Sequence, residues 1–381
     1  MSERRFWSLT AIGLAALVLV FGLTWNWAHL ERRVDEVGQR LLLLSNLRRG
    51  ALDQYFNTAE AELRFWSISE EILDLQRALI VDWRTFSRFA GNPQAYLQQL
   101  YIFGNPYPWQ EYELDDAGDG SGYSALHAQL HPLAKLFVLE RGYYDFFLIG
   151  PEGDVFYTVL KERDFATNLL TGEWQASGLA RAFRRAMADS EEQVVVTTDL
   201  APYGPSSDAP AIFMARALRD EWGERLGVIA FQLPTDRIVE IMNFDAGMRR
   251  TGETYLVGED HLMRSNSRFS SESTILRTSV DSPTVRRALG GESGVDFTAD
   301  YRGVEVLSAF SSTEVGETRW AVMAEIDREE LYEIAAEDRP AIAPLMLFLY
   351  GLGVWSLWFG RGGDRLEGSE LHFDADITDS A

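Results

Sequence analysis

The chain has 381 residues, 46% of them hydrophobic, which is enough for a sizeable core and for two domains. Its formal charge of −23, with 35 basic residues against 58 acidic ones, excludes nucleic acid as a partner, because neutralising phosphates takes clustered Lys and Arg. The absence of cysteine removes disulfides, thiolate metal sites, iron–sulfur clusters and a thiol nucleophile.

Two uncharged runs meet the roughly 20-residue requirement for a helix that crosses a bilayer. The first covers 6–30 and the second 340–360. Trp7, Trp25, Trp27, Trp355 and Trp358 sit near their ends, where amphipathic rings favour the interface. Arg4 and Arg5 before the first run and Arg361 and Arg365 after the second place both termini in the cytoplasm by the positive-inside rule. The expected organisation is therefore a cytoplasmic N-terminus at 1–5, a span at 6–30, an extracytoplasmic region, a span at 340–360 and an acidic cytoplasmic tail at 361–381. The large region is therefore expected on the outer side of the membrane.

After the first span, Leu30, Val34, Val37, Leu41 and Leu44, then Leu52, Phe56, Ala59, Leu63 and Trp66, keep a helical 3–4 spacing. This predicts one long helix over 31–90. The narrow apolar stripe suits a seam against the same helix of a second protomer, so a homodimer is expected.

Residues 91–125 are rich in turn formers. Asp115, Asp119 and Gly120 fit positions of a calcium loop, but Ala117 and Leu126 stand where ligands belong, so the segment reads as a surface loop. His127 and His131 have a metal-ligand spacing but no accompanying Glu, and Pro132 follows at once; they read as surface or capping histidines.

Tyr143–Ile149 and Val155–Leu160 read as a β-hairpin around Gly150–Asp154, and a helix is expected over Ser177–Met187. Three strands follow at Gln193–Thr198, Ala211–Leu218 and Leu226–Leu233. The order then repeats: hairpin Thr254–Val257 and Leu262–Ser265, helix Ser282–Leu289, strands Gly294–Thr298, Val304–Phe310 and Arg319–Ile326. Two copies of a five-stranded antiparallel sheet with a helix, behind one long helix, make an α+β protein with a distal module at 91–240 and a proximal module at 241–338.

This arrangement resembles the double Cache (tandem PAS-like) family of extracellular sensors. The likeness rests on Gly142–Leu170, Ser177–Leu179, Asp199–Tyr203, Leu226–Arg237, the GETYLVG run Gly252–Gly258, and Tyr301–Gly303. It implies a first module far from the membrane that binds a small solute. Such sensors usually continue into a signalling domain, whereas only 21 residues follow Gly360 here, so a separate cytoplasmic signalling partner is expected. The Arg-x-Trp-Tyr run of the amino-acid-binding subset is only echoed by Arg141-Gly142-Tyr143-Tyr144.

Strand alternation places Val155, Tyr157, Val159 and Lys161 on one face and Phe156, Thr158 and Leu160 on the other. With the long helix over the second face, the first lines a pocket. Lys161 then offers a cationic donor and Tyr157 a wall and a hydroxyl, while Tyr144 can stack or donate its hydroxyl. Asp199 and Tyr203 close the site, and Arg216 shares a face with Met214. Recognition centres on Lys161–Asn168, which the second copy lacks. No nucleophile–base set, metal cluster or phosphate loop accompanies these residues, so an enzyme and a cofactor are not expected. The function read from the sequence is a membrane-anchored sensor subunit for a small solute, with an unliganded scaffold as the alternative.

Overall fold

The protein, a computed structural model, is described for residues 3–89, 91–188, 194–243, 247–337 and 342–363. It divides into two compact units, Gly38–Asp327 and the pair of segments Met1–Val37 and Arg328–Ala381.

One continuous helix, α1 (Glu3–Ser67), opens the chain. The expected helix over 31–90 is in fact two, because the chain turns at Ile68 and Ser69 before α2 (Glu70–Phe89). The local cause is capping: Ser69 offers its carbonyl to Leu73 and its hydroxyl to Glu71, in a first turn that is acidic at Glu70 and Glu71. Much of the apolar stripe read as a dimer seam is buried within the chain: Val37, Leu41, Leu52, Phe56, Ala59, Leu63 and Trp66 are buried, while Leu30, Val34 and Leu44 are half-buried.

A short helix α3 (Pro93–Gln98) leads to α4 (Gly122–Arg141), which Ser121 caps and Gly142 ends in the left-handed region at φ 67°. The distal module then follows in chain order: β1 (Asp145–Ile149), β2 (Val155–Thr158), α5 (Gly178–Ala188), β3 (Val196–Thr197), β4 (Ala201–Tyr203), β5 (Ala209–Arg219) and β6 (Arg225–Leu233). The sheet order is β2-β1-β6-β5-β3, with β4 paired to β5. Helices α1, α2 and α4 cover one face, and α5 covers the other.

A linking helix α6 (Thr235–Met242) leads to β7 (Glu253–Val257), α7 (Pro283–Leu289), β8 (Gly294–Ala299), β9 (Glu305–Val315) and β10 (Thr318–Asp327). Their order, β7-β10-β9-β8, repeats β1-β6-β5-β3 strand for strand. The repeat read from the sequence is therefore present, but the second sheet has four strands. Leu262 and Met263 make only isolated bridges in place of the expected outer strand. Leu256, Trp320 and Val322 join the core that contains α1 and the distal sheet, while Tyr255, Phe310 and Met323 pack under α7.

In the other unit, α8 (Arg328–Glu337) and α9 (Ile342–Gly363) accompany the N-terminal part of α1. Gly22 of α1 faces Met346, and Gly353 of α9 faces Leu14, so glycines mark the contact, as in close helix pairs within membranes. Among the described residues α1 is the one helix long and apolar enough to cross a membrane; the described apolar run of α9 is the shorter Pro344–Trp355. Of the acidic tail expected at 361–381, residues 361–363 continue α9 and 364–381 lie outside the described residues.

Candidate functional site

A β-bulge positions the site. Leu148 pairs with Tyr157 but the next residue, Ile149, pairs with Val155, so Phe156 is extra and the alternation shifts there. Val155 consequently packs on the α5 side, whereas Phe156, Tyr157 and Val159 turn toward α1, α2 and α4. This corrects the expectation of an alternating strand whose helix-covered face lies opposite Tyr157.

At the end of β2 the backbone enters the left-handed region at Lys161 (φ 60°), and the Thr158 hydroxyl accepts from the Lys161 amide at 2.9 Å. The turn folds the lysine inward, where it is 2% exposed. Its Nζ donates to the Thr158 carbonyl and lies 4.3 Å from the ring centre of Tyr157, 5.1 Å from Phe165 and 5.9 Å from Tyr101. Burial pulls its pKa down to about 7, against the attraction of Asp145 and Asp164.

Both acids are buried. Asp145 heads β1, and its Oδ1 accepts from the amides of Phe146 and Val159, each at 2.7 Å, which ties the two hairpin strands together. Asp164 Oδ2 accepts the Tyr203 hydroxyl at 2.5 Å, and burial raises its pKa to about 7. Burial also raises Asp145, with Asp164 adding to the effect.

The histidines close the cluster and are not surface residues: His127 and His131 are 2% and 0% exposed and their rings stack at 4.5 Å. They look solvent-facing in the sequence because their cover comes from distant segments. His131 Nε2 gives its proton to the Tyr112 carbonyl at 2.7 Å, so its Nδ1 accepts from the Tyr157 hydroxyl at 2.6 Å. His127 Nδ1 likewise donates to the Asp115 carbonyl at 2.7 Å, which leaves Nε2 a bare acceptor. Burial, then Lys161, push both histidines down, His131 to about 3.

Three acceptors of this cluster lack a hydrogen-bond partner: Asp145 Oδ2, Asp164 Oδ1 and His127 Nε2. All belong to residues that interact electrostatically with Lys161. Three polar atoms around the buried Lys161 amine are thus left without partners, and burial, by raising both acids, favours a proton on them.

Of the residues singled out in the sequence, Tyr157, Lys161 and Tyr203 meet here. Tyr144 stands at the rim, half-buried, donating to Glu162 Oε1 at 2.8 Å while Ser206 donates to Oε2 of the same acid at 2.6 Å. Asp199 is engaged instead with Arg264 and Trp320 of the proximal module. Arg216 lines another groove with Ser67, Ile68 and Arg77, near Arg64 and Glu60. Asp164 falls within the Lys161–Asn168 segment singled out in the sequence, whereas Asp145 and Tyr101 were not anticipated; an acid heading the apolar run Phe146–Ile149 was the available signal for Asp145.

A long helix followed by two antiparallel-sheet modules is the fold that the resemblance to double Cache sensors implied. No family model matches the chain, and no curated protein matches it. Solved structures to which it is similar, at low identity, include three chemoreceptor domains. One is the ligand-binding domain of the Pseudomonas aeruginosa amino acid chemoreceptor PctC in complex with GABA, at 11% identity, 76% of this chain, 100% of that one and a TM-score of 0.40. The corresponding domain of PctB from the same organism, in complex with L-Arg, shares 15% identity over 54% of this chain and 80% of that one, with a TM-score of 0.38. The periplasmic sensory domain of the Campylobacter jejuni chemoreceptor Tlp1 shares 13% identity over 73% and 98%, with a TM-score of 0.41.

Proposed function

We propose that the chain is a membrane-anchored extracytoplasmic sensor whose distal module binds a small solute at the Lys161 cluster and signals through its membrane helices to a separate cytoplasmic partner. The observation that carries this reading is the set of three buried polar atoms without partners around the buried Lys161 amine. A buried unpaired polar group costs about 1–3 kcal/mol, so a solute that supplies the missing hydrogen-bond partners regains that cost on entering. Tyr157, Lys161, Tyr203, Asp145, Asp164 and His127 would hold it, with Tyr144 acting at the rim through Glu162.

In this reading 6–30 and 340–360 are the two spans and the region between them lies outside the cytoplasm. Homodimerisation uses a stripe different from the one read in the sequence. Leu43, Leu47, Gly50, Gln54, Asn57 and Ala61 recur at alternating 4 and 3 spacing along α1, are exposed, and include no charge. That is the pattern of a seam between parallel helices.

The test is a thermal-shift screen of the full chain in nanodiscs against small amines, amino acids and carboxylates, repeated with Asp164→Asn and Lys161→Met. A stabilising solute whose effect is lost in either variant supports the reading. A solute unaffected by both substitutions removes this site, and the absence of any hit across the library favours a scaffold without a ligand.

A further inference from the structure

The candidate site is joined to the proximal module by five residues. At one end Tyr203 donates to Asp164. At the other, Asp199 reaches into the proximal module: Oδ1 accepts from Arg264 Nε at 3.1 Å and Trp320 Nε1 at 2.9 Å, and Oδ2 accepts from Arg264 Nη2 at 2.8 Å. The Arg264 side chain is 2% exposed and also pairs with Asp260 at 2.9 Å. It runs so close to Gly258 that any side chain there would collide with the guanidinium. Trp320 is fully buried, with its ring 6.1 Å from that of Phe56 in α1.

Between the two ends the chain has little freedom. Ala201, Pro202 and Tyr203 are paired with Ala211, Pro210 and Ala209 of β5, and the pyrrolidine ring holds φ at Pro202. A short stiff element with a half-buried acid held by the buried Arg264 at one end and a buried phenol at the other moves as a unit, since packed elements shift between discrete arrangements and do not deform continuously. Among the described residues the modules are also joined by the shared apolar core and by Arg185 with Glu317 and Gly316 against the Thr197 carbonyl, and neither of these last two contacts uses a residue of the Lys161 cluster.

We propose that Asp199–Tyr203 is the coupling element between the modules: a change in the Tyr203–Asp164 hydrogen bond alters the grip of Asp199 on Arg264 and Trp320, and thereby β7 and β10. The assignment of Tyr203 as the sending end rests on the sensor reading above; the physical link between the two anchors does not.

Hydrogen exchange read by mass spectrometry on the full chain in nanodiscs tests the link without any solute. Tyr203→Phe removes the donor to Asp164 and is expected to speed exchange of β7 and β10 amides by about fivefold or more, the low end of typical coupling between sites. In an Asp199→Asn background that increment is expected to vanish, while an Arg185→Ala background leaves it intact. Changes confined to distal peptides, or an increment that survives in Asp199→Asn, overturn the proposal. If Tyr203→Phe costs the distal module its protection across β1 and β6, Pro202→Gly replaces it. That variant keeps both anchors and loosens the chain between them, and its failure to change β10 exchange overturns the proposal as well. A failed solute screen would leave these measurements untouched, so the two readings fall separately.

Discussion

His131 accepts the phenolic proton of Tyr157 at 2.6 Å, and the tautomer that makes this possible is set by the Tyr112 carbonyl on the far side of the imidazole. A chain of two hydrogen bonds thus runs from the loop before α4 to the strand that carries the candidate site. Tyr157→Phe keeps the ring and strands the Nδ1 lone pair in a buried place. The expected cost is about 1–3 kcal/mol in urea unfolding of the full chain. Adding His131→Leu to that variant should cost less than the two single changes summed, because both remove the same bond.

Glu325 governs a pH dependence in the proximal module. It is buried, accepts from Ser308 at 2.7 Å and Tyr255 at 2.9 Å, and stands opposite Glu253 across the β7–β10 ladder. Burial raises its pKa to about 7. The folded protein therefore holds a proton that the unfolded chain releases near pH 4.5, so this contribution to stability is full below that value and is lost as pH rises through about 7. Glu325→Gln should melt higher than the parent at pH 8 and lose that advantage at pH 4.5. A difference independent of pH would refute the shift.

Gly316 turns the β9–β10 hairpin at φ 61°, and a methyl group there would run into the Thr197 carbonyl oxygen. Gly303 has φ 78° and open space around it. Both alanine variants bear the left-handed strain, on the order of 1 kcal/mol, but only Gly316→Ala adds a collision between modules. Thermal melting should place Gly316→Ala clearly below Gly303→Ala; equal melting temperatures would mean that the hairpin tip has room to move away.

The lack of cysteine makes disulfide trapping clean. Asn57→Cys and Ala61→Cys, on the outward stripe of α1, should cross-link copies of the chain in membranes under mild oxidation. Ser45→Cys should not, since Ser45 is buried against Ser311 and the Val322 carbonyl. Cross-linking at all three sites, or at none, would count against the seam.

The succession of strands and helices along the chain was legible because alternation and turn residues recur in the same sequence twice. The bulge was not: Val155–Val159 alternates regularly on paper, and one extra residue at Phe156 exchanges the faces without leaving a mark in composition. The turn that separates α1 from α2 was written in Ser69-Glu70-Glu71, but the continuing apolar spacing on either side concealed it. His127 and His131 had the right spacing to be noticed, yet their burial depends on Tyr101, Tyr112 and Tyr157, which only the folded chain brings near. Asp199 was placed at the site because its actual partner, Arg264, lies 65 positions downstream, beyond the reach of local pattern. Local pattern reaches the scaffold, and the polar centre is made by contacts between segments far apart.

Leu256, Trp320 and Val322 share one apolar core with Leu52–Trp66 of α1 and with Phe146, Ile229 and Phe231 of the distal sheet. A chain built from a duplicated unit has in this way given up the autonomy of its copies. Neither half could be lost or exchanged for a homologous one without opening the interior of the other, and the pair is expected to melt in a single cooperative step.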